Sequence, residues 1–483
     1  MQMPQPHSAR IAKKPLLVAE LTAALGPQGV IHDPNETRAY ECDALTAYTI
    51  SPMIVALPST TEEVAAVMKI CLAHDIPVVP RGSGTSLAGG ALPTEDSVIL
   101  GVSRMHEVLD INTTDRTIRV QTGITNIKVS HAVEELGFFY APDPSSQLAC
   151  AIAGNIGMNS GGAHCLKYGV TTNNLMGVTI VLMNGEIVEL GGAYLEAEGL
   201  DLLAVICGSE GQLGIVTEAT LKILPRPEGA LPVLIAYSSN LDATACVSDI
   251  IKSGLIPVAI EFMDRQCLVA VERHANAGYP DCEALLIVEV EGSDADIADQ
   301  LTQIKEIAER HSPIEIREAT NADDAARIWL GRKSAFGAMG SQGDYICLDG
   351  TIPVSELTNA LSQIMDLSEE YGLAVSNVFH AGDGNMHPLI IFDANAGQLE
   401  TAEALGAEIL RVCVEAGGCL SGEHGVGVEK RDLMVHQFDP IDMEYQMRIK
   451  DSFDPNWLLN PAKVFPLATS ESRRSRAQPE VAA

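Results

Sequence analysis

The sequence is poor in positive charge. Its 483 residues include 31 Lys and Arg against 64 Asp and Glu, which gives a net charge of −33 at pH 7. A protein of this charge repels phosphate backbones and anionic bilayers. We therefore expect no nucleic acid partner, and we expect an anionic substrate to require Arg and His residues gathered locally in a cleft.

The sequence also lacks clustered cysteines and long apolar segments. Its 11 cysteines are scattered and form no C-x-x-C pair, which excludes an in-chain iron–sulfur relay or a zinc ribbon and indicates a reducing compartment. No apolar run reaches the length of about 18 residues that spans a membrane, and no apolar stretch follows Lys13 and Lys14 as in a signal peptide. We expect a cytoplasmic protein that reaches a membrane only through partners.

The composition is that of a globular protein with both helices and strands, since 46% of the residues are hydrophobic and 20% are charged. The length predicts two or three domains. A strand over 54–57 is followed by a helical pattern for which Ser59 and Glu62 fit a capping box. A second strand at Val78 and Val79 leads directly into a glycine-rich loop, which is where α/β proteins bind ligands.

The second half of the chain has a different pattern. After a hairpin predicted at Asn184-Gly185, prolines in residues 221–232 suggest a boundary, and strands then alternate with helices. This is typical of an α+β domain with an antiparallel sheet and helices on one side. The predicted strands and helices lie near 233–238, 258–262 and 285–291, and near 241–253, 265–272 and 295–311, respectively. The last 17 residues offer too little apolar surface to fold, so 467–483 is predicted to be a disordered tail.

Three glycine-rich segments stand in the first half, at residues 80–90, 154–162 and 208–216. The first combines small residues, hydroxyls and one Arg, a set that can wrap a diphosphate; a tight structural turn is the alternative. It is not a Rossmann fingerprint, because Leu87 occupies the third glycine position, nor a Walker A motif, because Gly90 and Ala91 stand where Lys and Ser or Thr are required. The other two segments also permit close approach of a backbone to a ligand.

The segment VFHAGDGNMHPLIIF in the second half contains two histidines between predicted strands. If His380 and His387 close the loop as an opposed pair, their Cβ atoms lie roughly 5 Å apart on one face. With Glu423 of the later segment SGEHGVG they would form a two-His, one-carboxylate set for a divalent metal. The alternative is a structural histidine pair. His424 is the adjacent candidate base.

The three glycine-rich segments, in this order and at these distances, resemble the FAD-binding domain of the vanillyl-alcohol oxidase (PCMH-type) flavoproteins. The motifs GRKSAFGAMG, DYICLDGTIP, NVFHAGDGNMHPLIIFDAN and SGEHGVGVEK resemble the C-terminal domain of FAD-linked D-2-hydroxyacid dehydrogenases, most closely the FAD-linked subunits of bacterial glycolate oxidases. The resemblance implies an α+β protein with a PCMH-type FAD-binding domain, a substrate (cap) domain and a C-terminal segment that returns to the flavin. The expected divisions are 1–44 (N-terminal helical segment), 45–228 (FAD-binding domain), 229–420 (cap), 421–466 (return segment) and 467–483 (tail).

The resemblance also assigns roles to individual residues. FAD is bound non-covalently, because the first loop has no His to tether it. The cofactor-binding residues would be Pro80, Arg81, Gly82, Ser83, Gly84, Thr85, Ser86, Pro142, Gly154, Gly157, Asn159, Ser160, Gly161, Glu210, Gly214, Ile215, Val216 and Asn460. Arg332 would pair with the substrate carboxylate, although a solvated charge on a helix surface is the alternative. His380, His387 and Glu423 would hold zinc, manganese or iron, and His424 would be the base.

The function implied is oxidation of the small 2-hydroxy acid glycolate to glyoxylate by a FAD-dependent dehydrogenase. D-lactate, or D-2-hydroxy acids broadly, is the alternative substrate, and a catalytically silent FAD-binding subunit is a second alternative. Two positions depart from the family pattern: Cys347 stands where relatives that oxidise larger diacids carry Lys, and Ala462 replaces a Gly. The expected partners are an iron–sulfur subunit and a second flavin-domain subunit of a glycolate oxidase complex, which would attach the chain peripherally to the inner membrane.

Overall fold

The computed structural model describes residues 2–194 and 199–477. Its strands are β1 (Val30–Ile31), β2 (Ile54–Ala56), β3 (Val78–Arg81), β4 (Val98–Gly101), β5 (Val108–Asn112), β6 (Thr117–Gln121), β7 (Phe138–Phe139), β8 (Leu175–Val181), β9 (Ile187–Gly191), β10 (Ile215–Lys222), β11 (Leu224–Pro225), β12 (Gly229–Tyr237), β13 (Ala259–Asp264), β14 (Ala284–Gly292), β15 (Glu315–Glu318), β16 (Asp344–Cys347), β17 (Val375–His380) and β18 (Pro388–Phe392). Its helices are α1 (Ser8–Ile11), α2 (Lys14–Leu25), α3 (Pro34–Thr37), α4 (Thr61–Ala73), α5 (Asn126–Val133), α6 (Ile152–Met158), α7 (Cys165–Tyr168), α8 (Thr171–Asn174), α9 (Leu202–Ile206), α10 (Asn240–Lys252), α11 (Arg265–Ala275), α12 (Asp294–Glu309), α13 (Ala322–Gly340), α14 (Leu357–Tyr371), α15 (Leu399–Glu415), α16 (Met434–Gln437), α17 (Pro440–Phe453) and α18 (Leu467–Ala477).

The chain folds into two compact units, and neither is continuous in sequence. The first unit consists of Met1–Gly161, Val170–Pro225 and Glu423–Ala483, and the second unit of Gly162–Gly169 and Arg226–Gly422. The C-terminal segment from Glu423 onward returns to the first unit. Residues 162–169 belong to the second unit, which the sequence did not predict.

The first unit contains two main sheets. One has the strand order β1-β2-β4-β3. Its buried apolar strands β2 and β3 both pair with β4 in parallel, and the crossover helix α4 connects β2 to β3. The capping prediction for α4 was one residue early: Thr60 caps the helix by accepting from the N–H of Glu63, while Ser59 donates to the Glu63 carboxylate. Side chains of α4 such as Val64 and Met68 are fully buried in this layer.

The second sheet of the first unit is antiparallel, with order β5-β6-β10-β8-β9. The predicted hairpin is confirmed, because β8 and β9 pair across a turn in which Gly185 has a φ of 77°. This sheet covers a separate core of buried residues that includes Ile118, Val178 and Leu221.

The second unit is built on a seven-stranded antiparallel sheet with order β15-β12-β14-β13-β17-β18-β16. The three strands and three helices predicted between 233 and 311 correspond to β12, β13 and β14 and to α10, α11 and α12. The prediction of an antiparallel α+β domain is therefore confirmed. Its buried strand residues, such as the neighbours Leu286 and Ile287 on β14, are apolar on both faces of the sheet.

Residues 162–169 attach to the second unit through polar side chains. His164 Nε2 lies 3.0 Å from a carboxylate oxygen of Glu289, and Lys167 Nζ lies 2.8 Å from Glu291. Both acids belong to β14. A sequence pattern of glycines and small residues carries no signal of such an attachment, since it depends on partners more than 100 positions away.

The C-terminal segment differs from the sequence prediction. Residues 467–477, which were predicted to be disordered, form α18, and Arg473 on this helix contacts Glu444 and Asp451 of α17. The composition of the segment is unfavourable for folding alone, but these ion pairs supply a local reason for order. Residues 478–483 of the predicted tail lie outside the described residues. Within the described ranges, no helix combines the length and apolar character needed to span a bilayer.

Candidate active site

The first unit brings the three glycine-rich segments together. A Cβ added to Gly82, in the first segment, would lie 3.3 Å from the backbone nitrogen of Gly154 in the second. The N–H of Glu210, in the third segment, donates to the carbonyl of Gly157 at 2.7 Å. The segments are separated by up to 130 positions in sequence, so their convergence is a property of the fold and agrees with a single binding surface.

Asn460 joins the same surface from the C-terminal segment. Its Nδ2 donates to the carbonyls of Gly90 (3.1 Å) and Glu210 (2.6 Å), and its own carbonyl accepts from Gln212. Its Oδ1 is buried and has no hydrogen-bond partner among the described residues. An unsatisfied buried acceptor costs free energy unless a ligand donates to it, so this atom fits a bound cofactor.

Helix α6 leaves open space beside the glycines of the second segment. A Cβ added at Gly154 or Gly157 would meet no atom within 4 Å, although both residues lie within a helix where Ala would be more stable by about 1 kcal/mol. Packing within the unit therefore does not require glycine at these positions. An extended ligand that approaches the helix backbone would require it, and this fits the diphosphate and flavin of FAD.

The first loop begins at the end of β3, and the side chain of its Arg81 is partly buried against other groups of the first unit. The guanidinium of Arg81 donates to the carbonyl of Cys42 at 2.8 Å and stacks over the ring of Tyr40. Burial lowers the pKa of Arg81. Ser86 Oγ accepts from the N–H groups of Ala88 and Gly90 and closes the turn. The loop is thus a structured turn, and a role of Arg81 toward a diphosphate stays a prediction.

The remaining predicted cofactor residues fall at element ends of the first unit. Pro142 precedes α6 and its carbonyl accepts from Asn126. Asn159 to Gly161 follow α6, where Asn159 adopts a left-handed conformation with a φ of 54°. Gly214 to Val216 lead into β10, and Ile215 and Val216 pair with β8. Their roles toward the cofactor stay predictions.

Glu423 and His424 also belong to the first unit, in the loop that precedes residue 430. Glu423 Oε1 lies 3.9 Å from His424 Nε2. The two residues after Gly425 are fixed by Glu210, whose carboxylate accepts from the N–H groups of Val426 (2.6 Å) and Gly427 (2.8 Å). The roles of Glu423 as ligand and of His424 as base stay predictions.

The second unit contains a buried ionic group centred on Glu261 of β13. Its two carboxylate oxygens accept from Arg332 Nε at 2.6 Å and face His380 Nδ1 at 2.8 Å. The pairing of β13 with β17 places Glu261 opposite His380, and α13 supplies the Arg. Burial alone would raise the pKa of Glu261, but the charges and hydrogen bonds of His380 and Arg332 lower its pKa to about 2. Glu261 is therefore ionised.

Arg332 has unused hydrogen-bonding capacity. Its side chain is only 5% exposed, so the alternative of a solvated charge on a helix surface is wrong. Its Nη2 is buried and has no partner among the described residues, whereas Nε is held by Glu261. Such a nitrogen beside a fixed Nε is suited to bind one oxygen of a carboxylate.

The two histidines meet at a different register from the one expected. Strands β17 and β18 pair as predicted, but His380 lies opposite Asn385 rather than His387. The imidazole rings nevertheless approach, with their centroids 5.2 Å apart and their planes nearly perpendicular. The bridge closes a loop of residues 381–384, shorter than the loop of residues 381–386 that the His380–His387 pairing would close, and the histidine side chains rather than paired backbones bring the rings together.

Both histidines are oriented by contacts through Nδ1. His387 Nδ1 lies 3.1 Å from the carbonyl of Leu348, and His380 Nδ1 faces the Glu261 carboxylate. A ring that donates from Nδ1 presents Nε2 as its basic nitrogen, which is the usual arrangement of metal-binding histidines and their supporting groups. His387 therefore fits a divalent metal. Among the described residues, no group of three or more candidate ligands close enough to share one ion includes His380, so the role of His380 as a ligand stays a prediction.

Two functional candidates escaped the sequence analysis. Glu261 is one, and the available signal was an acidic residue inside the apolar strand Ala259–Met263. The second is Asp349, which is fully buried and accepts from the hydroxyl of Ser421 and the N–H of Gly422. It fixes the residues that immediately precede Glu423 in the chain. Its motif DGT gives no indication of a partner 70 residues away.

Comparison with known proteins agrees with both halves of this description. The family model described as "FAD binding domain" matches residues 52–191, and the model described as "FAD linked oxidases, C-terminal domain" matches residues 226–464. The matched ranges include the first two glycine-rich segments, Arg332, both histidines and Asn460.

Whole-chain relatives extend the match. The glycolate oxidase subunit GlcD of Escherichia coli K12 is 46% identical over 440 residues, covering 90% of this chain and 88% of the relative. A D-lactate dehydrogenase of Anaerostipes hadrus is 30% identical over 91% of this chain and 95% of its own. The solved structure of p-cresol methylhydroxylase superimposes with a TM-score of 0.81 at 19% identity, covering 96% of this chain and 98% of that one, which establishes the PCMH-type fold. The chain therefore belongs to the FAD-linked oxidases, and its cofactor is FAD.

Proposed function

We propose that the chain is the FAD-linked subunit of a glycolate oxidase and oxidises glycolate to glyoxylate. The buried Nη2 of Arg332, which has no partner in the part of the chain that the structure describes, carries this proposal, because a small 2-hydroxy acid offers the carboxylate that this nitrogen would bind. The 46% identity to a glycolate oxidase subunit supports glycolate in particular.

The reaction removes the hydroxyl proton and the C2 hydrogen of the substrate. Bound FAD supplies the acceptor for the hydride. Arg332 fixes the carboxylate through Nη2, and Glu261 holds Arg332 through Nε. His424 accepts the hydroxyl proton as general base. His380, His387 and Glu423 would hold a divalent zinc, manganese or iron ion, whose charge would lower the pKa of the substrate hydroxyl.

Cys347, at the end of β16, indicates a small substrate. Its side chain is only 5% exposed. In the family pattern, relatives that oxidise larger diacids carry a Lys at this position. A buried neutral thiol offers no charge for a second carboxylate, which favours a monoacid such as glycolate or D-lactate. The D-lactate dehydrogenase among the relatives makes D-lactate the second candidate.

Anaerobic bleaching of the flavin by a panel of acids tests the proposal. We expect glycolate to reduce the purified holoprotein faster than D-lactate, and D-2-hydroxyglutarate to be poorest. Faster reduction by D-lactate would transfer the proposal to the second candidate. A flavin that no 2-hydroxy acid reduces would indicate a catalytically silent subunit. Acid precipitation should leave the flavin in the supernatant, because the first loop contains no His to bind it covalently.

Metal binding requires separate measurements. His380→Ala and His387→Ala should lose both bound metal and flavin reduction, whereas His424→Ala should lose reduction and keep metal. Equal metal loss in all three variants would make His424 a ligand and leave the base unidentified.

The relative from E. coli is named as one subunit of an oxidase, so this chain is expected to act in a complex. An iron–sulfur subunit and a second flavin-domain subunit would carry electrons onward, and they would provide any peripheral attachment to the inner membrane. The isolated chain should then be reduced by glycolate but transfer electrons to quinone slowly. Rapid quinone reduction by the chain alone would contradict the need for these partners.

A further inference from the structure

Glu210 holds the backbone of the loop that follows His424 through two hydrogen bonds. Both of its carboxylate oxygens are engaged, one by the N–H of Val426 and one by the N–H of Gly427. On the other side, the carbonyl of Ala88 accepts from the N–H of Val428 at 2.9 Å. The loop that carries His424 is therefore clamped between the third and the first glycine-rich segments.

The carboxylate itself has little freedom to move. The N–H of Glu210 donates to Gly157, and its carbonyl accepts from Asn460. Its backbone has a φ of 52°, an uncommon conformation for a residue with a side chain. Two fixed backbone groups thus aim the side chain at the loop.

The glycine after His424 fits this close approach. Gly425 has a φ of 83°, and a Cβ at this position would lie 2.9 Å from Glu210 Oε1 and 2.6 Å from Met158 Sδ. The loop can pass over the carboxylate only without a side chain there. Lys430, which is also buried, donates from Nζ to the carbonyl of Gly425 at 2.9 Å.

We propose that Glu210 is a positioning residue that sets the orientation of His424 for proton transfer. This inference rests on the proposed function, in which His424 is the base. The family resemblance implies that Glu210 binds the cofactor; its carboxylate accepts from the N–H groups of Val426 and Gly427, and its carbonyl accepts from Asn460. A charged acceptor is required because one carboxylate can receive two N–H bonds, whereas the amide of Gln would direct its NH2 group at one of the two donors.

The test is the limiting rate of flavin reduction by saturating glycolate, measured per bound FAD in a single turnover. Glu210→Gln should lower this rate by about 10–100-fold, as expected for a misplaced catalytic group, with the apparent dissociation constant of glycolate unchanged. Glu210→Asp, which keeps the charge but has a shorter reach, should recover part of the rate. Glu218→Gln is the matched control, because Glu218 lies on β10 in the same unit and pairs only with Arg119 among the described residues.

The decisive comparison uses a double variant. If Glu210 acts through His424, Glu210→Gln combined with His424→Ala should be as slow as His424→Ala alone, within about twofold. Additive losses would show an independent role and overturn the proposal, as would loss of FAD with a normal rate in the flavin that remains bound. A normal rate in His424→Ala would instead overturn the base assignment in the proposed function.

Discussion

The two units differ in the chemical groups that they offer to a ligand. The first unit offers mainly backbone groups. These are the α6 glycines with open space where a Cβ would lie, the carbonyls that accept from Asn460, and a turn that the hydroxyl of Ser86 closes. The second unit presents charge: Glu261, Arg332 and His380 are buried together. Backbone recognition is visible in a sequence as glycine content, whereas a buried charge cluster is visible only when the strands and helix that carry it are paired. The comparison also predicts which substitutions each unit tolerates.

Removal of Glu261 should have the largest effect. Glu261→Ala leaves Arg332 buried without its anion, and breaking a buried ion pair from one side costs about 3–5 kcal/mol. We expect a loss of this size in the free energy of unfolding, measured by urea denaturation with a probe in the second unit. Glu283→Ala is the control, because Glu283 pairs with Arg265 where both side chains are roughly half exposed; its effect should stay within about 0.5 kcal/mol. Equal effects would show that the Glu261 cluster is not a buried ionic group.

Replacement of the Arg332 guanidinium should have the second-largest effect. Arg332→Lys keeps the positive charge but loses the second nitrogen of the fork. We expect kcat/KM for glycolate to fall about 100-fold, the equivalent of about 2.7 kcal/mol, with FAD content unchanged. Arg327→Lys, on the exposed face of the same helix, should have no effect on turnover. Unchanged kinetics in Arg332→Lys would remove Arg332 from the substrate site.

A single methyl group should distinguish the two units. Gly157→Ala and Gly337→Ala both add a Cβ to a helix position with open space around it. Gly337→Ala, in the second unit, should leave FAD binding unaltered. Gly157→Ala should stabilise the apoprotein slightly but weaken FAD binding about tenfold, within the cost of about 1–3 kcal/mol for overpacking. Titration of the apoprotein with FAD measures this difference, and equal affinities would place the cofactor away from α6.

The smallest effect concerns backbone strain. Ala462 has a φ of 65°, a left-handed conformation that costs about 1–2 kcal/mol for a residue with a Cβ. Ala462→Gly should relieve it and raise the free energy of unfolding by up to about 1 kcal/mol after the entropy of Gly is included. Ala338→Gly, inside α13, should have the opposite sign. A destabilised Ala462→Gly variant would mean that the methyl contact outweighs the strain.

Local patterns predicted much of the fold. The strands around Ile54 and Val78, the Asn184-Gly185 hairpin and the alternation of elements between 233 and 311 are all confirmed, because short-range periodicity and turn chemistry determine them. The attachment of residues 162–169 to β14 could not be predicted in this way. It depends on ion pairs with Glu289 and Glu291, which exist only after β14 has joined its sheet.

The candidate site also contains residues that the sequence could predict and residues that it could not. The resemblance implied roles for Arg332 and the two histidines. The partner that holds Arg332 and His380 was missed, because this residue, Glu261, lies in an apolar strand with no motif around it. The register of His380 was wrong for a related reason. Strand pairing was inferred from the loop ends, while the bridge to Asn385 depends on the conformation within the loop.

The division of the first unit into separated segments bears on how the protein is made. Its last segment begins at Glu423, after the roughly 200 residues of the second unit. Synthesis proceeds at about 5–20 residues per second. Asn460 and the loop around Gly427 therefore leave the ribosome tens of seconds after the glycine-rich segments whose surface they complete. FAD should therefore enter after translation is complete, and a chain stopped at Gly422 should release from the ribosome without bound flavin.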